Sequence, residues 1–165
     1  MNTFLGLPIH PFIVHMAVVL VPLAAVMVLI ALPWRRARFA LSAVAAPLAL
    51  IGAVATYIAK ESGEQLARVV GEPESHAQWG TPATVSAFAF AGLAVVWLVV
   101  LLMQRRRARD GAVAASGAPT LIVGLLTAAA AVVATTFIVL AGHSGAEAVW
   151  SDQVSAAAVM SVVGH

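Results

Sequence analysis

The chain has 165 residues, 62% hydrophobic and 10% charged, with nine Lys and Arg against seven Asp and Glu, a net charge of +2 and a mean hydropathy of +0.99. A soluble domain is about half apolar and a quarter charged, so this composition indicates a membrane protein, and the length leaves room for one domain without a separate soluble catalytic domain. The sequence has no cysteine, which excludes disulfides, thiolate metal sites, iron–sulfur clusters and covalent c-type haem attachment.

The N-terminal stretch "GLPIHPFIVHMAVV" (6–19) sets His10 and His15 at the mouth of an apolar run. No basic stretch precedes that run and no A-x-A-like cleavage site follows it, so it is expected to be a retained span and not a signal peptide. Pro11 suits a first helical position and leaves His10 just outside the helix. His15 then lies about one turn inside the span, where it is expected to face the bundle. A bilayer crossing needs about 20 mostly apolar residues, and four stretches qualify: 11–32, 39–59, 82–103 and 119–141. Pro22 and Pro47 fall within their spans, where each removes a backbone donor. The expected fold is therefore all-α, an integral membrane four-helix bundle with up-down connections, filling residues 1–165 as a single membrane domain. Its helices approach closely through alanine and through Gly52, Gly92 and Gly124.

The linkers fix an orientation. Seven of the nine Lys and Arg lie in "PWRRAR" (33–38) and "QRRRARDG" (104–111). Short basic loops stay in the cytoplasm, which puts both termini and the second loop outside. Six of the seven acids, all but Asp110, then lie outside as well. Because the arginines flank apolar runs, they are read as orientation signals and no nucleic-acid partner is expected. Trp34 at one edge and Tyr57, Trp79 and Trp150 at the other fit aromatic belts. The tail of residues 144–165 is too short and polar to span and is expected to lie on the outer surface as an amphipathic helix.

The outer ends of spans one and two echo those of spans three and four. "AKESGEQLA" lies against "AGHSGAEAV", pairing Glu61 with His143, Ser62 with Ser144 and Gly63 with Gly145. At the entries, His10 pairs with His76 and His15 with Thr81. This suggests a two-fold repeat of a two-helix unit. "SGEQ", "SHAQ" and "SGAE" also match the S-x-x-E/Q capping box, so each is expected to mark a helix break and restart at the membrane surface.

His10, His15, His76 and His143 all fall at outer ends, beside Glu61 and Glu64, and no histidine falls in a basic linker. His165 is read as a solvated terminal residue. Imidazole can ligate iron, copper or zinc, relay protons, or serve as a hydrogen-bonded structural residue. Intramembrane ionisable groups usually mark function. The cofactor candidates are haem b, held by two axial histidines, or a Zn or Cu site built from His10, His15, His76 and His143. The axial pair on this reading is His15 with His143, with His76 and His10 as alternates. Glu61 and His10 could orient an imidazole or pass a proton during quinone chemistry, and Ser62 and Ser144 adjoin the same site. Thr56, Ser86, Thr127, Thr135 and Thr136 are the candidate polar groups within the spans and are expected to bond their own helix backbones. No catalytic residue is assigned. Hydrolytic chemistry at the two serines ranks last, since capping accounts for them.

"GLPIHPFIVHMAVVLVPLA" closely resembles the opening signature of a bacterial membrane family catalogued as domain of unknown function 2231. Its pattern G-x-P-x-H-P-x-x-V-H-F-P is met at His10, Pro11, Val14 and His15, with later matches at Ser62 and Gly63, His76, and Gly142, His143 and Gly145. Met16 and Ala17 stand where Phe and Pro are common. The resemblance covers nearly the whole chain and implies a location in the bacterial inner membrane. Similar domains are fused to Rieske-type or cytochrome c-type domains, which implies membrane electron transfer and favours haem. Three functions remain open: a small redox subunit holding haem b near the outer leaflet, with a redox protein or quinone as partner; a non-haem metal site in a sensor, transporter or chaperone; and a structural or assembly subunit, alone or as a homo-oligomer.

The cysteine-free sequence makes the orientation directly testable. A membrane-impermeant maleimide applied to intact spheroplasts should label Ser151→Cys and leave Ala108→Cys unlabelled until the membrane is opened. The reverse pattern would invert the topology.

Overall fold

The structure, a computed structural model, describes residues 3–4, 7–70, 74–110 and 117–163, with side chains over 12–65, 78–110 and 117–147. Two short strands, β1 (Thr3–Phe4) and β2 (Leu7–Pro8), pair antiparallel ahead of four helices, a small hairpin that the hydropathy pattern does not signal. The helices are α1 (Ile9–Ala31), α2 (Arg38–Val70), α3 (Glu74–Arg109) and α4 (Ala118–Val163). All four are long and apolar enough to cross a membrane, as the four apolar stretches predicted.

The helices form an up-down four-helix bundle in which α1 packs on α2 and α4, and α3 packs on α2 and α4, leaving α1 diagonal to α3. Alanine dominates the core: Ala17, Ala24, Ala31, Ala49, Ala83, Ala131 and Ala134 are buried around Val21, Val28, Phe90, Trp97 and Ile138. Lipid offers no hydrophobic drive for helix association, so close backbone approach and packing supply it. Gly52 and Gly124 mark where the approach is closest. A Cβ on Gly52 would stand 2.6 Å from Cγ2 of Val21 and 3.3 Å from its backbone nitrogen, and one on Gly124 would meet Leu32 at 2.9 Å and the Trp97 ring at 3.0 Å.

The helix-break expectation is overturned at "SGEQ" and "SGAE". Helix α2 runs unbroken through Ser62 and Gly63, and α4 through Ser144 and Gly145. Each serine hydroxyl bonds back to its own helix, Ser62 Oγ to the Ala59 carbonyl at 3.0 Å and Ser144 Oγ to that of Ala141 at 3.1 Å. With the hydroxyl satisfied inside the turn, there is no cap to form. The third box, "SHAQ", opens α3, which begins at Glu74. The tail likewise forms no separate helix, because α4 continues to Val163. At 1.5 Å per residue it is about 70 Å long, well beyond a bilayer of about 40–45 Å.

The mid-span polar groups behave as the sequence predicts at four of five positions. Thr56, Ser86, Thr127 and Thr136 donate to the carbonyls of Gly52, Ala83, Val123 and Val132. Thr135 Oγ1 is buried without a protein partner.

The tight approach at Gly52 yields a paired prediction. Gly52→Leu should destabilise the bundle by about 1–3 kcal/mol, the usual cost of overpacking. Gly92→Leu should be near neutral, since Gly92 is exposed and a Cβ there meets nothing within 4 Å. Unfolding in mixed micelles followed by circular dichroism would compare the two.

Candidate functional site

The up-down topology brings the start of α1, the later part of α2, the start of α3 and the later part of α4 to one end of the bundle. Contacts between facing elements fix the register: Gly52 against Val21, Gly80 against Lys60, and Trp79 against Phe137 with ring centroids 6.1 Å apart. His10 and His76 fall in the first turns of α1 and α3, so His10 is helical and not outside the helix. Their side chains, and the whole of His165, lie outside the described residues.

His15 differs from expectation. It is exposed, two residues from buried Ala17 and so about 200° around a 3.6-residue turn from it. The buried stripe of α1 follows Ala17, Val21, Ala24, Val28 and Ala31, and His15 stands away from that stripe. The sequence-level argument treated depth alone as sufficient to turn His15 inward, but helical phase decides the face. His143 is likewise outward, 69% exposed, with Nε2 3.4 Å from Oε1 of the equally exposed Glu147 one turn along.

A charged cluster on α2 completes this end. Lys60 Nζ lies 2.5 Å from Glu64 Oε1 and 3.6 Å from Glu61 Oε1, with the Lys60 side chain 23% exposed. Glu61 therefore engages a lysine. Lys60 is the member of this end that sequence reasoning passed over. Its signal was there in the seven-residue spacing from Ala46 and Ala53, both buried, which puts Lys60 on the inner side of α2. Among the described residues, no three His, Asp or Glu side chains gather into a metal-binding group.

The opposite end is held by different contacts. The Arg38 guanidinium donates to the carbonyls of Ala31 (3.2 Å) and Leu32 (2.5 Å), closing the C-terminus of α1 from the next helix. Arg105 stacks 3.8 Å over the Phe39 ring. Trp97 Nε1 donates to the Thr120 carbonyl at 3.1 Å, and the Gln104 amide bonds the Thr120 hydroxyl. The positions of the histidines thus fall at one end of the bundle, with Arg38 and Arg105 at the other.

A family model described as "Predicted membrane protein (DUF2231)" matches residues 6–158, and the chain belongs to that family. Neither a curated protein nor a solved structure matches it.

The outward His143–Glu147 pair should contribute little to folding, because exposed ion pairs are worth roughly 0–1 kcal/mol. His143→Ala and Glu147→Ala should each change unfolding free energy by less than about 0.5 kcal/mol. A larger loss in micelle unfolding would mean that the pair is structural.

Proposed function

We propose that this member of the family is a small membrane redox subunit that holds b-type haem through histidines at the end of the bundle where α1 and α3 begin, near the outer leaflet, and exchanges electrons with a quinone or a redox protein. The observation that carries the reading is the gathering at one end of the positions of His10, His15, His76 and His143, next to Lys60, Glu61 and Glu64. The opposite end carries arginines, Phe39, Trp97 and Thr120.

The donor set suits haem. Neutral imidazole is the usual axial ligand for b-type haem, and no thiolate is available to compete. A Cβ on half-buried Gly142, next to His143, would meet nothing within 4 Å. Haem, when bound, would supply one-electron redox chemistry. The chain's own residues would bind and orient it through imidazole nitrogen, and the closed alanine core beneath would keep water from the site. The Lys60 ammonium, paired with Glu61 and Glu64, would offer N–H donors to a quinone headgroup at this end.

An absorption spectrum of the detergent-purified protein, oxidised and then reduced with dithionite, tests this reading, with metal analysis on the same sample. A Soret band that shifts on reduction, with sharp α and β bands, is expected. Protein free of porphyrin from cells well supplied with haem would overturn the reading. Stoichiometric zinc or copper would then point to a non-haem metal site, and an empty protein to a structural or assembly role.

A further inference from the structure

The two ends of the bundle treat their cations differently. At the histidine-bearing end Lys60 is matched by Glu61 and Glu64. At the other end Arg35, Arg36 and Arg38 lead into α2, and Arg105, Arg106, Arg107 and Arg109 close α3. The sequence sets a single carboxylate, Asp110, beside these seven arginines. Among the described residues the ion pairs are those of Lys60 and of His143, and none includes an arginine. Arg38 is half-buried and spends its guanidinium on the carbonyls of Ala31 and Leu32. The other six are exposed.

One of the six is held in place. The Arg105 guanidinium lies over the Phe39 ring, 3.8 Å from its centroid, and so reaches from α3 to the start of α2. Contact with a ring occupies a face of the group, while its N–H donors lie in its plane. Among the described residues no protein acceptor takes those donors. One turn further into the span, Leu102 is exposed on the same helix.

We infer that this end binds an anionic phospholipid, its phosphate on the edge of the Arg105 guanidinium and an acyl chain against Leu102. The planar fork of arginine matches two phosphate oxygens. Phe39 holds that fork before any ligand arrives, which lowers the ordering cost of binding. The unpaired charge of Arg35, Arg36, Arg106, Arg107 and Arg109 favours an anionic headgroup over a zwitterionic one. A free phosphate would meet the same donors but gain nothing from Leu102, so the site is assigned to lipid.

The test is native mass spectrometry of the full-length protein, purified in detergent and stripped of lipid. It is titrated with phosphatidylglycerol, with phosphatidylcholine of the same acyl chains, or with inorganic phosphate. Phosphatidylglycerol should be retained at lower concentration than phosphatidylcholine. Arg105→Gln should weaken its retention about fivefold, the effect of one cation at an anionic surface. Phe39→Leu, which keeps the charge but frees the guanidinium, should weaken it by a smaller factor. Arg109→Gln should cost less than Arg105→Gln, and Lys60→Gln nothing, with helical circular dichroism retained throughout. Equal retention of the two lipids, equal losses at Arg105 and Arg109, or a loss in Lys60→Gln would overturn the inference. Displacement of phosphatidylglycerol by inorganic phosphate at equal concentration would overturn the assignment to lipid.

Discussion

Close approach of helix backbones is the constraint on which this molecule depends. In lipid, apolar side chains gain nothing by meeting each other in place of hydrocarbon tails, so association rests on packing and a few interhelical hydrogen bonds. The chain meets this with alanine at nearly every inner position and with glycine where two helices nearly touch, at Gly52 against Val21 and at Gly124 against Trp97 and Leu32. Its two buried aromatic side chains, Phe90 and Trp97, both lie on α3, while Val21 and Val28 of α1 and Ile138 of α4 supply the other larger core side chains. Many of the larger aliphatic side chains lie on the outer faces, as at Leu125, Leu126, Val132 and Val139, where they would meet lipid. The usual soluble pattern is reversed.

A bundle packed this tightly leaves little freedom in where polar groups can go. Within the spans, Thr56 and Ser86 fold their hydroxyls back on their own helices and Thr127 also bridges to the Leu93 carbonyl at 3.2 Å, while the Ser42 and Thr135 hydroxyls are buried without a protein partner. Charged groups are confined to the ends, and the two ends differ. At the arginine end every contact closes something: Arg38 ends α1, Arg105 covers Phe39, and Gln104 and Trp97 bind α3 to Thr120 of α4. At the other end Lys60 sits on the inner side of α2 and draws in Glu61 and Glu64. The charge balance there lies within one helix, so it does not bind helices together.

Much of this was legible in the sequence for a plain reason: length and apolarity determine a membrane span, and basic linkers set it apart from its neighbours. The four helices and their up-down order follow from 11–32, 39–59, 82–103 and 119–141 without reference to packing. What did not follow were questions of phase. Ser62 and Ser144 match a capping pattern, yet the same residues are stable inside a continuous helix when their hydroxyls bond back to Ala59 and Ala141; the motif cannot distinguish these outcomes. His15 was judged by depth, but whether it faces inward depends on its angle from Ala17. The family resemblance, since matched over residues 6–158, singled out His15 and His143 equally with His10 and His76, because a motif records positions and not faces. The small hairpin of β1 and β2 left no periodic trace in two-residue strands.

Rows of buried residues seven apart on each helix, level with one another in layers, show why phase carries so much weight here. Three successive layers place one bulky or branched side chain among small ones: Trp97 with Gly124, Phe90 with three alanines, and Ile138 with Ala17, Thr56 and Ala83. A fourth layer of the same kind would need only one larger residue. The sequence instead offers His10 and His76 with Gly63 and Gly145, two of each. The positions one step further along the four rows therefore break the pattern of one larger side chain among small ones that the three described layers keep.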